Sequence, residues 1–192
     1  LYGDICRARE KFEGKITILH GIEANLMSLD GRIDIKENDL KRFDIILMGF
    51  HKTAITLKSA LHFYGPCKLP FTRKKAVEKT TDAYIKAMKR YPIDIVVHPN
   101  YATRVNVDRL SKAAAEMHVA IEINGHRNFM SDEELTCAKK NGAVFTINSD
   151  AHTLDRIGDT QGAVQDALRT GIWPELIINT QEGPGLRRLL KG

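Results

Sequence analysis

The chain has 192 residues, with 29 Lys and Arg against 24 Asp and Glu, giving a formal charge of +5 and a pI near 9.1. With 43% hydrophobic and 28% charged residues it has the balance of a soluble globular domain, which excludes a disordered chain. The longest apolar runs, such as Ile45 to Phe50, fall far short of the roughly 20 residues of a membrane span, and no signal pattern opens the sequence.

Three cysteines, Cys6, Cys67 and Cys137, are too few and too scattered for a disulfide framework or a zinc knuckle, which suits a reducing compartment and, by default, the cytoplasm. The positive excess is spread out. Its one concentration, Arg73, Lys74 and Lys75 followed by Lys79, lacks interleaved aromatics for base stacking and reads as a solvated helix face.

In chain order, short β-branched apolar runs alternate with longer amphipathic stretches, the pattern of repeated βα units and a parallel sheet. Helix is predicted from Ile5 to Phe12, then strands from Ile16 to Ile22 and from Asp44 to Phe50. The segment from Leu57 to Phe71, with Gly65, Pro66 and Pro70, reads as an irregular surface loop that could serve as a lid. A helix from Thr72 to Arg90, a strand from Ile93 to Val97 and a helix from Val107 to Met117 come after it. Next come a strand from Val119 to Ile123, a helix from Asp132 to Lys140, a strand from Ala143 to Ile147 and a helix from Arg156 to Thr170. Ser131 with Glu134 forms a capping box, and Asn141-Gly142 stops that helix. A weaker strand is expected at Leu176 to Ile178. Beyond the break at Gly183, Pro184 and Gly185 lies a short basic tail helix with Arg187, Arg188 and Lys191. No repeat or linker divides the chain, so residues 1–192 are expected to form a single domain.

The residues just past the strands carry the chemistry: Glu23 after the first, His51, His98 and Asn124 after the next three, Asp150 and His152 after the fifth. In a parallel sheet the C-terminal strand ends open on one face, so residues distant in sequence converge there. Any one of them has an ordinary use as a turn or cap residue. Together, imidazole and carboxylate are the ligands that suit zinc, iron or manganese. Of the other histidines, His20 is expected to pack and His118 to cap its helix, while His62 lies in the irregular loop. His126, beside Arg127 at the rim of the proposed bowl, is a phosphate contact or an ordinary loop residue. Lys52, Arg104 and Arg127, just past ligand-bearing strands, are candidate phosphate contacts or solvent-facing cations.

The motifs Gly21-Ile22-Glu23-Ala24-Asn25, Gly49-Phe50-His51, Val97-His98-Pro99, Glu122-Ile123-Asn124 and Asn148-Ser149-Asp150-Ala151-His152, in this order, resemble those of the PHP (polymerase and histidinol phosphatase) superfamily over essentially the whole chain. The resemblance implies a distorted (β/α)7 barrel with up to three divalent metals (zinc, manganese or iron) at its C-terminal face, hydrolysing phosphoric esters. It implies that Glu23 bridges two metals, that His51 and His98 complete one position, and that Asp150 and His152 serve the others. Arg104, Asn124, His126 and Arg127 are the expected substrate-binding residues. The substrate would be a phosphorylated small molecule, attacked by water whose pKa the metals lower.

Family members open with an HxH pair on the first strand, and none precedes Glu23 here. Five strands and a weak sixth also fall short of a barrel of about seven or eight. The expectation is therefore a piece of a longer enzyme lacking one or two βα units of about 20 to 30 residues each, with one metal position intact and weak or no activity. The alternatives are the PHP domain of a bacterial family X DNA polymerase acting on nucleic-acid ends, an amidohydrolase barrel, and an inactive barrel serving as an interaction module. Five retained ligand-type residues argue against the last, because semi-buried charges are costly without a metal.

Overall fold

The computed structural model describes residues 2–51, 63 and 70–185. Lys52, His62, Gly65, Pro66, Cys67 and the tail with Arg187, Arg188 and Lys191 lie outside the described residues. The elements run α1 (Tyr2–Lys11), β1 (Gly21–Asn25), α2 (Glu37–Leu40), β2 (Ile45–Gly49), α3 (Pro70–Arg90), β3 (Ile95–Val96), α4 (Val107–Met117), β4 (Ala120–Asn124), α5 (Asp132–Lys140), β5 (Phe145–Asn148) and α6 (Gln161–Thr170). Short 3-10 turns stand at Leu154–Arg156 and Pro174–Leu176. No described helix is long and apolar enough to cross a membrane, and Cys6 and Cys137 are free thiols.

The five strands form one parallel sheet in the order β1-β2-β3-β4-β5, with at least one helix between successive strands along the chain. Alternation along the strands then sorts the side chains between two faces. Ala24, Ile46, Met48, Val96, Ile121, Ile123 and Phe145 point toward the helices and make the main core with Leu110 of α4 and Leu135 of α5. The opposite face carries a smaller apolar cluster around Ile95, Val97, Ala120 and Ile178, flanked by Ile45 and Leu47. The same parity puts Glu23, Gly49, Glu122, Asn124 and Asn148 on this second face, toward the C-terminal strand ends.

Several local expectations are met. The α5 capping box forms, the Glu134 amide donating to Ser131 Oγ at 3.2 Å and the Ser131 amide to Glu134 Oε2 at 2.9 Å, and Gly142 at φ 79° lies just past the helix end. His118 closes α4 in the left-handed region. His20 packs its ring between Tyr2 and Phe43. Pro70 opens α3, so the irregular segment expected to reach Phe71 gives way to helix earlier, at a position where a missing N–H costs nothing.

Three expectations need correction. The first strand lies at Gly21–Asn25 rather than Ile16 to Ile22, because pairing with β2 in the register Gly21↔Ile45 to Asn25↔Gly49 defines it; Ile16 is exposed. Glu23 is therefore inside β1, and Asn124 is the last residue of β4 rather than a residue after it. Leu176 to Ile178 is no strand: a 3-10 turn occupies its start and only one bridge, Phe145↔Ile177, joins it to β5. The helix expected from Arg156 begins at Gln161, because Gly158 at φ 79° breaks the chain first.

Candidate functional site

Glu23 on β1 and the histidines just past β2 and β3 meet at the mouth of the sheet. Glu23 Oε1 lies 2.8 Å from His51 Nε2 and 3.0 Å from His98 Nε2, and the two Nε2 atoms are 3.0 Å apart. One ligand atom from each residue falls within 4.8 Å of the other two, so the trio could hold a metal ion. The backbone is bent to achieve this: His98 has φ 30°, and φ is also positive at Asn100 and Asp150, conformations that cost on the order of 1–3 kcal/mol each for non-glycine residues and concentrate at functional sites.

The donor set fits a cation. Asn25 Nδ2 donates to Asp34 Oδ2 at 2.7 Å, and because a carboxylate only accepts, the Asn25 amide must face Asp34 and turn its Oδ1 toward His51. His51 Nδ1 lies 2.6 Å from that oxygen, so Nδ1 carries the proton, and in the neutral ring Nε2 presents a bare lone pair to the Glu23 carboxylate. Lone pairs facing one another at 2.8 Å need a proton or a metal between them.

Without a cation, protons hold the trio together. Burial alone would raise the Glu23 carboxyl, but hydrogen bonds and positive charge from His51 and His98 bring it down to about 2. For His98 burial works downward, yet the bond to Glu23 and the charges of Glu23, Glu122 and Asp150 raise it above its ordinary value.

Gly49 makes room for this packing. A Cβ there would stand 2.7 Å from His98 Cε1 and from Val97 Cγ2, and 3.3 Å from His51 Cε1. Gly49→Ala should displace the His98 ring and weaken divalent-metal binding by about 10–100-fold. Calorimetric titration of the variant checks this, and an unchanged affinity refutes it.

Behind the trio, buried Glu122 organises the strand ends. Its Oε2 accepts the His98 amide N–H at 2.7 Å and Asn124 Nδ2 at 3.1 Å, and its Oε1 accepts Asn148 Nδ2 at 2.9 Å. Burial pushes the Glu122 carboxyl up, against the bonds from Asn148, Asn124 and His98. Asn124 Nδ2 also donates to Asp150 Oδ2 at 3.0 Å, while Asn124 Oδ1 accepts the Arg127 amide at 2.9 Å. The Asn124 amide hydrogens are thus directed at Glu122 and Asp150, not at the open cleft.

Asp150 and His152 line the same cleft but stand outside the tight trio. His152 is exposed; its Nδ1–H donates to the Asp150 carbonyl at 2.9 Å, which leaves Nε2 bare. The cleft encloses about 1030 Å³ and is lined also by Tyr101, Arg104, His126, Arg127, Phe129 and Arg156, with the Tyr101 ring 5.2 Å from that of His98. Tyr101 and Phe129 pack with their rings tilted and their centroids 5.0 Å apart, and the Arg127 guanidinium lies 5.2 Å over Phe129. Arg156 Nη2 lies 3.2 Å from His126 Nδ1 and Nη1 pairs with Asp159 at 2.8 Å.

Sequence reasoning singled out neither Arg156, which it placed in a helix, nor Tyr101, Phe129, Asn25 and Asp34. Asn25 and Glu122 lie within the motifs already quoted, so they carried a signal; Arg156 and Asp34 carried none.

No family model matches the chain. A probable phosphatase of Thermoanaerobacter sp. strain X514 is 30% identical, over 95% of this chain and 71% of that protein. A probable phosphatase of Clostridium novyi strain NT is 31% identical over 87% of this chain and 65% of its own length. Among solved structures, histidinol phosphate phosphatase from Lactococcus lactis, complexed with zinc, L-histidinol and phosphate, superposes with a TM-score of 0.55 and 16% identity, covering 86% of this chain and 72% of that one. The chain belongs to the PHP-type phosphatases. As a PHP-type phosphatase it shares with the Lactococcus protein its α/β fold, and its trio stands at the C-terminal ends of β1, β2 and β3.

Proposed function

We propose that this phosphatase is a metal-dependent hydrolase of phosphoric monoesters, with residues 1–192 as one PHP domain. The reading rests on one observation: a carboxylate oxygen and two imidazole nitrogens within 4.8 Å of one another, at a cleft that Arg104, Arg127 and Arg156 also line. Such a lining suits a phosphate dianion held beside a cation. The neighbour-to-neighbour strand order supports reading the sheet as an arc of the (β/α)7 barrel, since doubly wound sheets reverse their order part-way.

Glu23, His51 and His98 would hold a first divalent metal, and Asp150 and the bare Nε2 of His152 would offer ligands for up to two more. A bound divalent cation supplies Lewis acidity toward a phosphoryl oxygen and a lowered pKa for water. The rest falls to the chain's own groups. Asn124 and Glu122 orient Asp150 and the His98 backbone. His126, with Nδ1 facing Arg156, offers Nε2–H as a donor to phosphate, alongside the guanidinium groups of Arg104 and Arg127. Tyr101 and Phe129 keep water from one side of the leaving group. Ligand sets of this kind accept zinc, manganese or iron alike.

The purified chain, stripped with a chelator and titrated with Zn²⁺ or Mn²⁺, should bind metal and then release phosphate from p-nitrophenyl phosphate. Metal-dependent hydrolysis of an amide or lactone in place of the phosphate ester would overturn the proposal, as would failure to bind metal. Cleavage confined to nucleic-acid ends would overturn it in favour of the polymerase-domain reading.

A further inference from the structure

Between β1 and α2 the chain makes a short antiparallel excursion, with Leu26 bridged to Ile33 and the Met27 amide donating to the Arg32 carbonyl at 2.7 Å. Its tip is pressed onto α3. Gly31, at φ 82°, lies so close that a Cβ would stand 2.7 Å from Ala87 N and from Lys86 Cβ, and Leu26 and Ile33 are buried. The excursion returns the chain to the end of β1 and places Asp34 beside Asn25. There Asp34 takes hold twice: Oδ1 accepts the Asn25 backbone amide at 2.8 Å and Oδ2 accepts Nδ2 at 2.7 Å. Asn25 Oδ1 in turn faces His51 Nδ1 at 2.6 Å.

We propose that Asp34, acting through Asn25, is a positioning residue for the metal centre: it fixes the His51 ring and its tautomer so that Nε2 is the nitrogen left bare toward Glu23 and His98. The direction of the chain of bonds is forced. A carboxylate can only accept, so the Asn25 amide cannot turn its NH₂ toward His51 without facing Asp34 with an oxygen, two acceptors at 2.7 Å. With Asn25 so locked, a proton on His51 Nε2 would leave two acceptors opposed at Nδ1 as well. Outer partners of this kind orient a ligating imidazole and raise its basicity, and their loss costs about 10–100-fold in metal affinity. The excursion thus couples a surface carboxylate, held by the packing of Gly31 on α3, to the metal-facing nitrogen of a residue just past the neighbouring strand.

The inference rests on the reading of Glu23, His51 and His98 as metal ligands, and its test separates the two. Zn²⁺ affinity of the full chain is measured by competition with a chelator for Asp34→Asn, for Asn25→Asp and for the double substitution, with Glu23→Gln as reference. Asp34→Asn leaves the amide of Asn25 free to flip, and Asn25→Asp sets two carboxylates face to face, so each should weaken Zn²⁺ binding by about 10–100-fold. The double substitution exchanges carboxylate and amide, keeps the net charge and restores every donor–acceptor match. It should recover most of the loss, a coupling that a purely structural role would not produce. Native affinity in both single variants, or a double variant no better than the sum of the two, overturns the relay. If Glu23→Gln loses zinc while the relay variants keep it, the relay alone fails; if Glu23→Gln keeps it, the metal reading fails. Long-range ¹H–¹⁵N spectra of the unsubstituted, metal-free chain give a check independent of variant folding. With the ring neutral, the His51 proton should reside on Nδ1, and finding it on Nε2 refutes the proposal.

Discussion

Glu23→Gln is expected to abolish tight metal binding, lowering Zn²⁺ affinity by at least about 100-fold, and with it metal-dependent phosphatase activity. The substitution preserves volume, but the chemistry of the trio reverses. In the native chain Glu23 Oε1 is the shared neighbour of two Nε2 atoms, at 2.8 and 3.0 Å, so the three ligand atoms face a common centre. A glutamine removes the negative charge and can turn its NH₂ toward the imidazoles, donating to both lone pairs and satisfying the site with no cation in it. Glu23→Asp, which keeps the charge but shortens the reach, should fall between the two. Metal content after dialysis and calorimetric titration check the series, with circular dichroism establishing that each variant is folded. Native affinity in Glu23→Gln would show that the trio is an internal proton network and not a ligand set.

Phe145→Ala should cost about 3–5 kcal/mol, the usual loss when a phenylalanine is truncated inside a packed core. Phe145 is wholly buried on the helix-facing side of β5, among the residues of the main core. A loss of that size is a large share of the 5–15 kcal/mol, roughly, that stabilises an ordinary domain. The urea midpoint should fall steeply, with the m-value unchanged. Leu47→Ala provides the contrast. Leu47 points to the other face of the sheet and is only partly buried beside the small cluster around Val97, so less packed surface is lost. Equal costs for the two would mean that the second face is as closely packed as the first, contrary to the unequal burial of the two side chains.

The helices whose boundaries are written in local chemistry were legible from the sequence. Ser131, Glu134 and Asn141-Gly142 delimit α5 as expected, since a cap depends on residues three or four apart and on little else. The alternation of apolar runs and amphipathic stretches likewise carried the parallel α/β fold, and the motifs from Glu23 to His152 carried the family. Where an element is defined by a partner, sequence periodicity misplaced it. Ile16 to Ile22 is as apolar as a strand, yet β1 begins at Gly21, because only there does β2 offer hydrogen bonds. Leu176 to Ile178 keeps a bridge to β5, but a 3-10 turn takes its first residue and no strand develops.

The site divides along the same line. The sequence by itself determined which residue types stand near strand ends, because βα periodicity and strand parity are local. Only the tertiary structure decided that Glu23, His51 and His98 close to within hydrogen-bonding distance while His152 stays exposed at the rim. It alone brought Arg156 to the cleft and Asp34 to Asn25. Those contacts depend on backbone turns at His98 and Asp150, on the space left by Gly49 and on the packing of Gly31 against α3. Each of these joins segments far apart along the chain, and their geometry exists only once the sheet and its helices have set the distances between them.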